Sequence, residues 1–235
     1  MNKRIVIKIG GSLLFDKDKN INYNRISAIS DIILNTKFFD SVIIVCGGGI
    51  LAREYINIVR KFSKNETLCD LVGIDVSRLN ARLFMSYFGS SAYPLIPKTI
   101  EEVSLACKSY KIVVIGGILP GQSTTTVAIE LAEFLNAQYA VILTDVQGIF
   151  DKDPKIDKNA KLIKEITLKQ LQQIILNNST QNQAAAGEYR IFDAVSLQIL
   201  KRSKIPVYII SGLKLDAFTD LMNGSEEIKG TLIVD

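Results

Sequence analysis

Short, almost continuous apolar runs alternate along this chain with longer segments in which apolar residues recur every three or four positions. The short runs, rich in isoleucine and valine, predict strands buried on both faces, and the longer segments predict amphipathic helices. Strands are expected at 4–9, 42–46, 112–115, 139–143 and 207–210. Helices are expected at 50–62, 72–88, 125–136 and 167–176. This alternation predicts an α/β fold around a parallel sheet.

Two later segments depart from that alternation. Residues 177–187 are small and polar without a helical pattern, and they predict a mobile surface loop. Residues 228–234, which follow Gly224, predict a closing strand that we expect to run antiparallel at the end of the sheet.

Composition excludes several classes of protein. The 235 residues include 28 lysines and arginines against 24 acidic residues, and this net charge of +4 without a long basic run does not favour nucleic-acid binding. Cys46, Cys69 and Cys107 form no CxxC motif, so we expect reduced thiols in a cytoplasmic protein and neither a disulfide framework nor a zinc site. Histidine is absent, which excludes a Ser-His-Asp triad. The apolar runs are too short for a signal peptide or a membrane-spanning helix.

Glycine clusters follow three of the predicted strands, at 10–11, 47–49 and 116–117. In an open parallel sheet, ligands bind beside the carboxyl ends of the strands, and glycine bends let backbone amides approach a phosphate closely. Each bend taken alone fits an ordinary strand-to-helix turn equally well. Together the three predict a phosphate-binding edge. The chain contains neither GxxxxGK[ST] nor GxGxxG, so this edge differs from a P-loop or a dinucleotide fold.

Charged residues accompany these bends. Lys8 lies two residues before the first bend, where its ammonium can stabilise a transferring phosphoryl group; alternatively, it extends to solvent. Arg53 lies one turn into the helix after the second bend and can cover an anion, or it is simply solvated. Asp145 follows Thr144 at the end of a predicted strand, and a carboxylate there calls for a cation, so we predict that it pairs with Lys8.

Segment 116–126 joins a predicted strand to a predicted helix through Pro, Gly and four consecutive hydroxyl residues, 123–126. Hydroxyls and amides at a helix N-terminus predict a second anion site, although such residues also cap helices without binding a ligand. Asp70 precedes an amphipathic segment, and its position is typical of a helix N-cap.

Five motifs in order resemble the amino acid kinase superfamily, and most closely its archaeal type of UMP kinase (uridylate kinase). They are KIGGS (8–12), VCGGGILAREY (45–55), LVGIDVSRLNARL (71–83), GGILPGQSTTTVA (116–128) and LTDVQGIFDKDPK (143–155). The resemblance covers essentially the whole chain. The first and last motifs occur throughout the superfamily, whereas the middle ones resemble the UMP kinase versions. Isopentenyl phosphate kinases depend on a histidine, which this chain lacks.

The resemblance implies a three-layer αβα sandwich around a mainly parallel sheet of about eight strands. It implies one domain, 1–235, with an acceptor lobe up to about residue 136 and an ATP lobe at about 137–235. The implied reaction transfers the γ-phosphoryl group of ATP to UMP, with Mg²⁺ bound through the ATP phosphates and no metal site in the protein itself. A homohexamer is implied as well, without nucleic-acid or membrane partners.

The resemblance also implies roles for individual residues. Lys8 would stabilise the transferring group and Asp145 would orient it. ATP would contact Gly11, Ser12, Gly49, Arg53, Thr144, Asp145, Phe150 and Asp153. UMP would contact Gly48, Asp70, Ile118, Leu119, Pro120, Gly121, Gln122, Ser123 and Thr124, with Thr125 and Thr126 nearby.

Two departures from the family pattern are visible. Phe150 stands where many relatives carry tyrosine, which keeps packing against adenine but loses a hydroxyl contact. The second catalytic lysine of acetylglutamate kinases has no match after Gly187, and Lys152 or Lys155 is the candidate replacement.

Two alternative functions remain: a kinase for another small phosphate acceptor, and a nucleotide-binding regulatory or storage protein without turnover.

Overall fold

One seven-stranded sheet runs through the computed structural model, which describes residues 3–152, 157, 159–181, 191–225 and 227–235, without the side chains of 176–181. Its strand order is β3-β2-β1-β4-β6-β7-β5. The strands are β1 (Arg4–Ile9), β2 (Ser41–Cys46), β3 (Ile112–Ile115), β4 (Tyr139–Thr144), β5 (Glu165–Thr167), β6 (Val207–Ser211) and β7 (Thr231–Val234). Neighbouring strands are parallel except β6 and β7.

Eight α-helices connect these strands within the described ranges. They are α1 (Tyr23–Asn35), α2 (Gly49–Phe62), α3 (Glu66–Phe88), α4 (Ile100–Ala106), α5 (Thr124–Phe134), α6 (Leu168–Gln181), α7 (Ala194–Ser203) and α8 (Asp216–Met222). Short 3₁₀ helices occupy Gly11–Leu14 and Gly89–Ser91. Polar side chains begin five of the α-helices by accepting hydrogen bonds from backbone amides of the first turn: Asn22, Asn65, Thr99, Ser123 and Asp193.

The central strands bury both faces, which explains their continuous apolar sequences. Alternate side chains of β1 enter two separate clusters. Val6 packs in the cluster that α4, α5, α6 and α7 cover, whereas Ile5 and Ile7 pack in the cluster that α1, α3 and α8 cover. The predicted three-layer αβα sandwich is confirmed.

The first five strand predictions agree with the structure to within one residue at each end, whereas the closing strand predicted at 228–234 begins only at Thr231. The described sheet has seven strands where about eight were expected. The closing strand is antiparallel to β6 as predicted. Its predicted place at the end of the sheet is wrong, because β5 pairs outside it as the edge strand.

The loop predicted at 177–187 is also wrong in its first part, because α6 continues to Gln181. Once a helix is nucleated, each further residue adds a hydrogen bond, so a polar stretch without Gly or Pro can extend it. Residues 182–187 lie outside the described part of the chain.

No helix in the described ranges combines the length and the hydropathy needed to cross a membrane.

Candidate active site

The carboxyl ends of β1, β2, β3 and β4 meet at one edge of the sheet. Ile9, at the end of β1, is aligned with Cys46 on one side and Leu143 on the other. Val45 is aligned in turn with Ile115. The three glycine bends therefore leave the sheet side by side, and their predicted convergence is confirmed.

The first two bends pack backbone against backbone. Gly10 N–H donates to Leu143 O at 2.9 Å, and Gly47 N–H donates to Ile9 O at 3.0 Å. A Cβ atom at Gly11 would clash with the backbone of Gly49, and one at Gly47 would lie 2.9 Å from Gly11 N. Gly49 has φ of +68°, a conformation that residues with side chains rarely adopt. Glycine is required here by space and by conformation.

Helix α3 fixes the second and third bends relative to each other. The buried Asn80 side chain donates to Gly47 O at 2.8 Å and to Gly48 O at 3.2 Å. Ser77 Oγ, also buried, accepts from Gly117 N–H at 2.7 Å. Arg78 Nε donates to Gly117 O at 3.1 Å. The motif 71–83 thus supplies the polar groups that hold this edge together.

The loop between β3 and α5 is attached to the same helix. Asp70 Oδ2 accepts from Gly121 N–H at 2.8 Å. The N-cap position suggested for Asp70 is wrong, because it lies inside α3, whose N-cap is Asn65. At the far end of the loop, Ser123 Oγ caps α5 by accepting from Thr126 N–H at 3.1 Å. The predicted UMP residues 118–124 therefore form one segment, a loop that leads into the first residue of α5 and is held at Gly121 and at Ser123.

Lys8 lies on the face of β1 that α5 covers, between Val45 of β2 and Ile142 of β4. Its half-buried side chain brings Nζ to 3.8 Å from the position that a Cβ atom of Gly10 would occupy. Burial lowers the pKa of Lys8 to about 8, and the charge of Asp145 only partly opposes this shift. The predicted position of the ammonium at the first bend is confirmed.

The side of the edge where ATP binding is predicted is built around the end of β4. Buried Thr144 donates from Oγ1 to Asp145 Oδ1 at 3.1 Å, and its carbonyl accepts from Gly212 N–H at 2.7 Å. Asp145 is exposed to solvent. It forms no direct ion pair with Lys8 among the described residues, so the predicted pairing is reduced to a longer-range attraction. Phe150 is half-buried in an antiparallel bridge with Leu162.

The remaining predicted residues are less constrained. Ser12 and Arg53 are exposed beside the first two bends. Lys152 forms a surface ion pair with Asp157 at 3.0 Å. Asp153 and Lys155 lie outside the described residues. The described residues contain no group of three or more His, Cys, Asp or Glu side chains that could hold a metal ion.

Sequence reasoning did not single out the polar side chains that organise this edge. Ser77 and Asn80 lie on the buried side of an amphipathic helix, and that position is the signal that could have identified them. Asp193, whose carboxylate accepts hydrogen bonds at the starts of both α5 and α7, lies in none of the predicted helices and gave no comparable signal.

The sequence model of the amino acid kinase family matches residues 3–211. The chain is 37% identical to a uridylate kinase of Methanobrevibacter smithii over 95% of this chain and 96% of the relative. It is 36% identical to a uridylate kinase of Sulfolobus acidocaldarius over 98% and 99% of the two chains. The crystal structure of uridylate kinase from Archaeoglobus fulgidus superposes with a TM-score of 0.82 at 32% identity, covering 98% of this chain and 99% of that one.

The contact between the first two bends leads to a stability prediction. We expect Gly11→Ala to lower the free energy of unfolding by about 3 kcal/mol, because the new methyl group must push apart two backbone segments. Urea denaturation measures this loss. Gly73→Ala, in the interior of α3 and facing only the flexible end of Ile56, is the matched control and should stay within about 1 kcal/mol of the parent. Equal effects at the two positions would contradict the contact.

Proposed function

The chain belongs to the amino acid kinase family, and we propose that it phosphorylates UMP to UDP with ATP as the phosphoryl donor. The observation that carries the proposal is similarity along nearly the whole chain to archaeal uridylate kinases, in sequence and in fold. The arrangement at the sheet edge fits that reaction, because it gathers backbone amides and a cation where two anionic nucleotides can meet.

The acceptor lobe is proposed to extend to about residue 136. UMP would bind against Gly48, Asp70 and the loop 118–124. The N-terminus of α5 directs backbone amides and the positive end of its dipole towards this loop, which suits an anionic phosphate. Asp70 is already engaged by Gly121 N–H, so it fixes the loop and presents its other carboxylate oxygen as an acceptor.

The nucleotide lobe is proposed to comprise residues from about 137 onwards. ATP would bind along Gly11, Ser12, Gly49 and Arg53 on one side. On the other side it would contact Thr144, Asp145 and Phe150, with Asp153 in the same segment. Asp145 lies at the end of β4 beside the first bend, where it can orient the triphosphate group.

Phosphoryl transfer requires little covalent help from the protein. A UMP phosphate oxygen would form the new bond to the γ-phosphorus while the bond to the ADP oxygen breaks. The attacking oxygen is already anionic, so a general base is unnecessary. Lys8, poorly solvated and close to the first bend, would stabilise the charge that develops on the transferring group.

Mg²⁺ is proposed to bind chiefly through the ATP phosphates. The exposed Asp145 carboxylate at this edge fits that arrangement, since Mg²⁺ usually combines one or two carboxylates with substrate phosphates. When bound, the ion would neutralise phosphate charge. We further propose that the protein acts in the cytoplasm, in pyrimidine nucleotide synthesis.

An acceptor panel tests the proposal. We expect ADP release to be fastest with UMP when UMP, CMP, dUMP and isopentenyl phosphate are compared at equal concentration. Preference for another acceptor would favour the first alternative, and binding without turnover would favour a regulatory or storage protein.

Asp145→Ala should lower kcat at least about a hundredfold, because the triphosphate loses its orienting group. Near-normal turnover of that variant would contradict the role of Asp145, and Asp151→Ala, a nearby surface carboxylate, is the matched control.

The lowered pKa of Lys8 leads to a pH prediction. Its ammonium is charged below about pH 8 and neutral above, so kcat/KM for UMP should fall as pH rises through about 8. In the Lys8→Arg variant the side chain keeps its charge throughout this range. Its kcat/KM for UMP should be lower than that of the parent but should not decline at alkaline pH. An identical decline in this variant would assign the titration to another group.

One exposed face of α2 and α3 supports self-association. Tyr55, Ile58 and Phe62 recur on one side of α2, and Phe62 is 82% exposed. Leu68, Leu71 and Leu79 are exposed along α3, which packs beside α2. Large apolar side chains that are exposed on neighbouring helices commonly mark a subunit contact. We propose that this face is a subunit interface of the homohexamer.

We expect the parent protein to elute as a hexamer in light-scattering chromatography. Phe62→Glu should shift it to smaller assemblies, because a carboxylate would be buried in an apolar contact. Phe134→Glu on α5, which is 52% exposed, is the control and should leave the assembly unchanged. A monomeric parent, or equal effects of both variants, would contradict the interface.

A further inference from the structure

The N-termini of α5 and α7 meet at one carboxylate outside the residues already assigned. Asp193 Oδ1 caps α7 by accepting from Ser196 N–H at 2.8 Å. The same carboxylate accepts from Thr126 Oγ1, at 3.0 Å to Oδ1 and 2.9 Å to Oδ2. Thr126 belongs to the first turn of α5 and is fully buried. A single side chain therefore joins two helix starts that are 67 residues apart in sequence.

A further hydroxyl completes the cluster. Ser123 Oγ, the N-cap of α5, lies 3.3 Å from Thr126 Oγ1 and also interacts with the Asp193 carboxylate. Burial alone would raise the pKa of Asp193, but hydrogen bonds from Ser123, Ser196 and Thr126 outweigh it and lower the pKa below its ordinary value. The group is thus an anion at neutral pH, placed at the positive ends of two helices.

This cluster lies directly against the acceptor loop. Ser123 is the last residue of the loop before α5, and Thr126 lies in the first turn of α5, so a carboxylate that holds both hydroxyls fixes the direction of the amides at the start of α5. α7 belongs to the other proposed lobe. The contact between Asp193 and Thr126 therefore fixes the position of the proposed acceptor phosphate site relative to the proposed nucleotide lobe.

We infer that Asp193 is a positioning residue for phosphoryl transfer, which acts through the Thr126 hydroxyl to hold the start of α5 in register with the nucleotide lobe. The inference rests on the proposed function in that the loop 118–124 is taken as the UMP site. The partners of Asp193 in the described residues are groups at the starts of α5 and α7, not the glycine bends. Its effect is on the geometry of the acceptor site.

Removal of the hydroxyl tests the inference with little change in volume. We expect Thr126→Val to raise the KM for UMP about tenfold, the size expected when a charge-assisted hydrogen bond is lost, and to leave the KM for ATP within about twofold. Thr126→Ser restores the hydroxyl and should recover most of the affinity for UMP. Asp193→Ala should resemble Thr126→Val, and the double variant should be no worse than the more affected single variant.

A second contact between the same helices provides the control. Glu133, near the end of α5, forms a surface ion pair with Arg202 of α7 at 2.7 Å. Glu133→Gln breaks that pair away from the acceptor loop, and both KM values should stay within about twofold of the parent. If this variant and Thr126→Val alter the kinetics alike, general helix packing explains the effect and the inference is overturned.

Hydrogen exchange without nucleotide separates this inference from the proposed function. In Thr126→Val, amides of 118–126 should exchange at least about fivefold faster than in the parent, while those of β1 and β4 are unchanged. Unchanged exchange at 118–126, or equal KM increases for UMP and ATP, would overturn the inference. If the parent does not phosphorylate UMP, the proposed function fails, and the exchange result still decides whether Asp193 holds the start of α5.

Discussion

Contact of backbone against backbone at the sheet edge is the constraint on which the rest of the site depends. The first bend reaches the second so closely that Gly11 and Gly49 leave no room for a side chain. Such close approach exposes amides on a concave surface, and it is possible because β1 and β2 are parallel neighbours that end at the same level. The position of Lys8 follows from the same register, because alternation along β1 directs its side chain to the α5 face.

Helix α3 converts this contact into a rigid arrangement. Its buried Ser77 and Asn80 would be costly in an apolar layer without partners, and the carbonyl and amide groups of the glycine bends supply those partners. Asp70, nearer the start of α3, likewise accepts a hydrogen bond from a backbone amide, that of Gly121. Polar groups of the helix and unpaired backbone groups of the bends thus satisfy each other, which fixes the distance between the second and third bends.

The sequence allowed the sheet to be predicted well, because strands such as β2 and β3 are buried on both faces and carry uninterrupted apolar residues. The edge strand β5 and the length of α6 were not predicted, since a three-residue strand and a polar helix end depend on tertiary context. Lys8 and the bends were found because they are adjacent in sequence to strand ends. Asn80 and Asp193 were not, because the partners that connect them to this edge, Gly47 for Asn80 and Thr126 for Asp193, lie more than thirty residues away.

Charge compensation explains why this edge suits anions. Lys8 is half-buried between apolar neighbours, and its lowered pKa means that the protein alone compensates its charge poorly. A direct ion pair with Asp145 would satisfy the ammonium but leave it less available to a ligand. In the structure Asp145 instead faces solvent and accepts from Thr144, so its attraction is partial. A phosphate at the bends would supply the missing negative charge, and the cost of burying Lys8 would then favour the bound state over the free one.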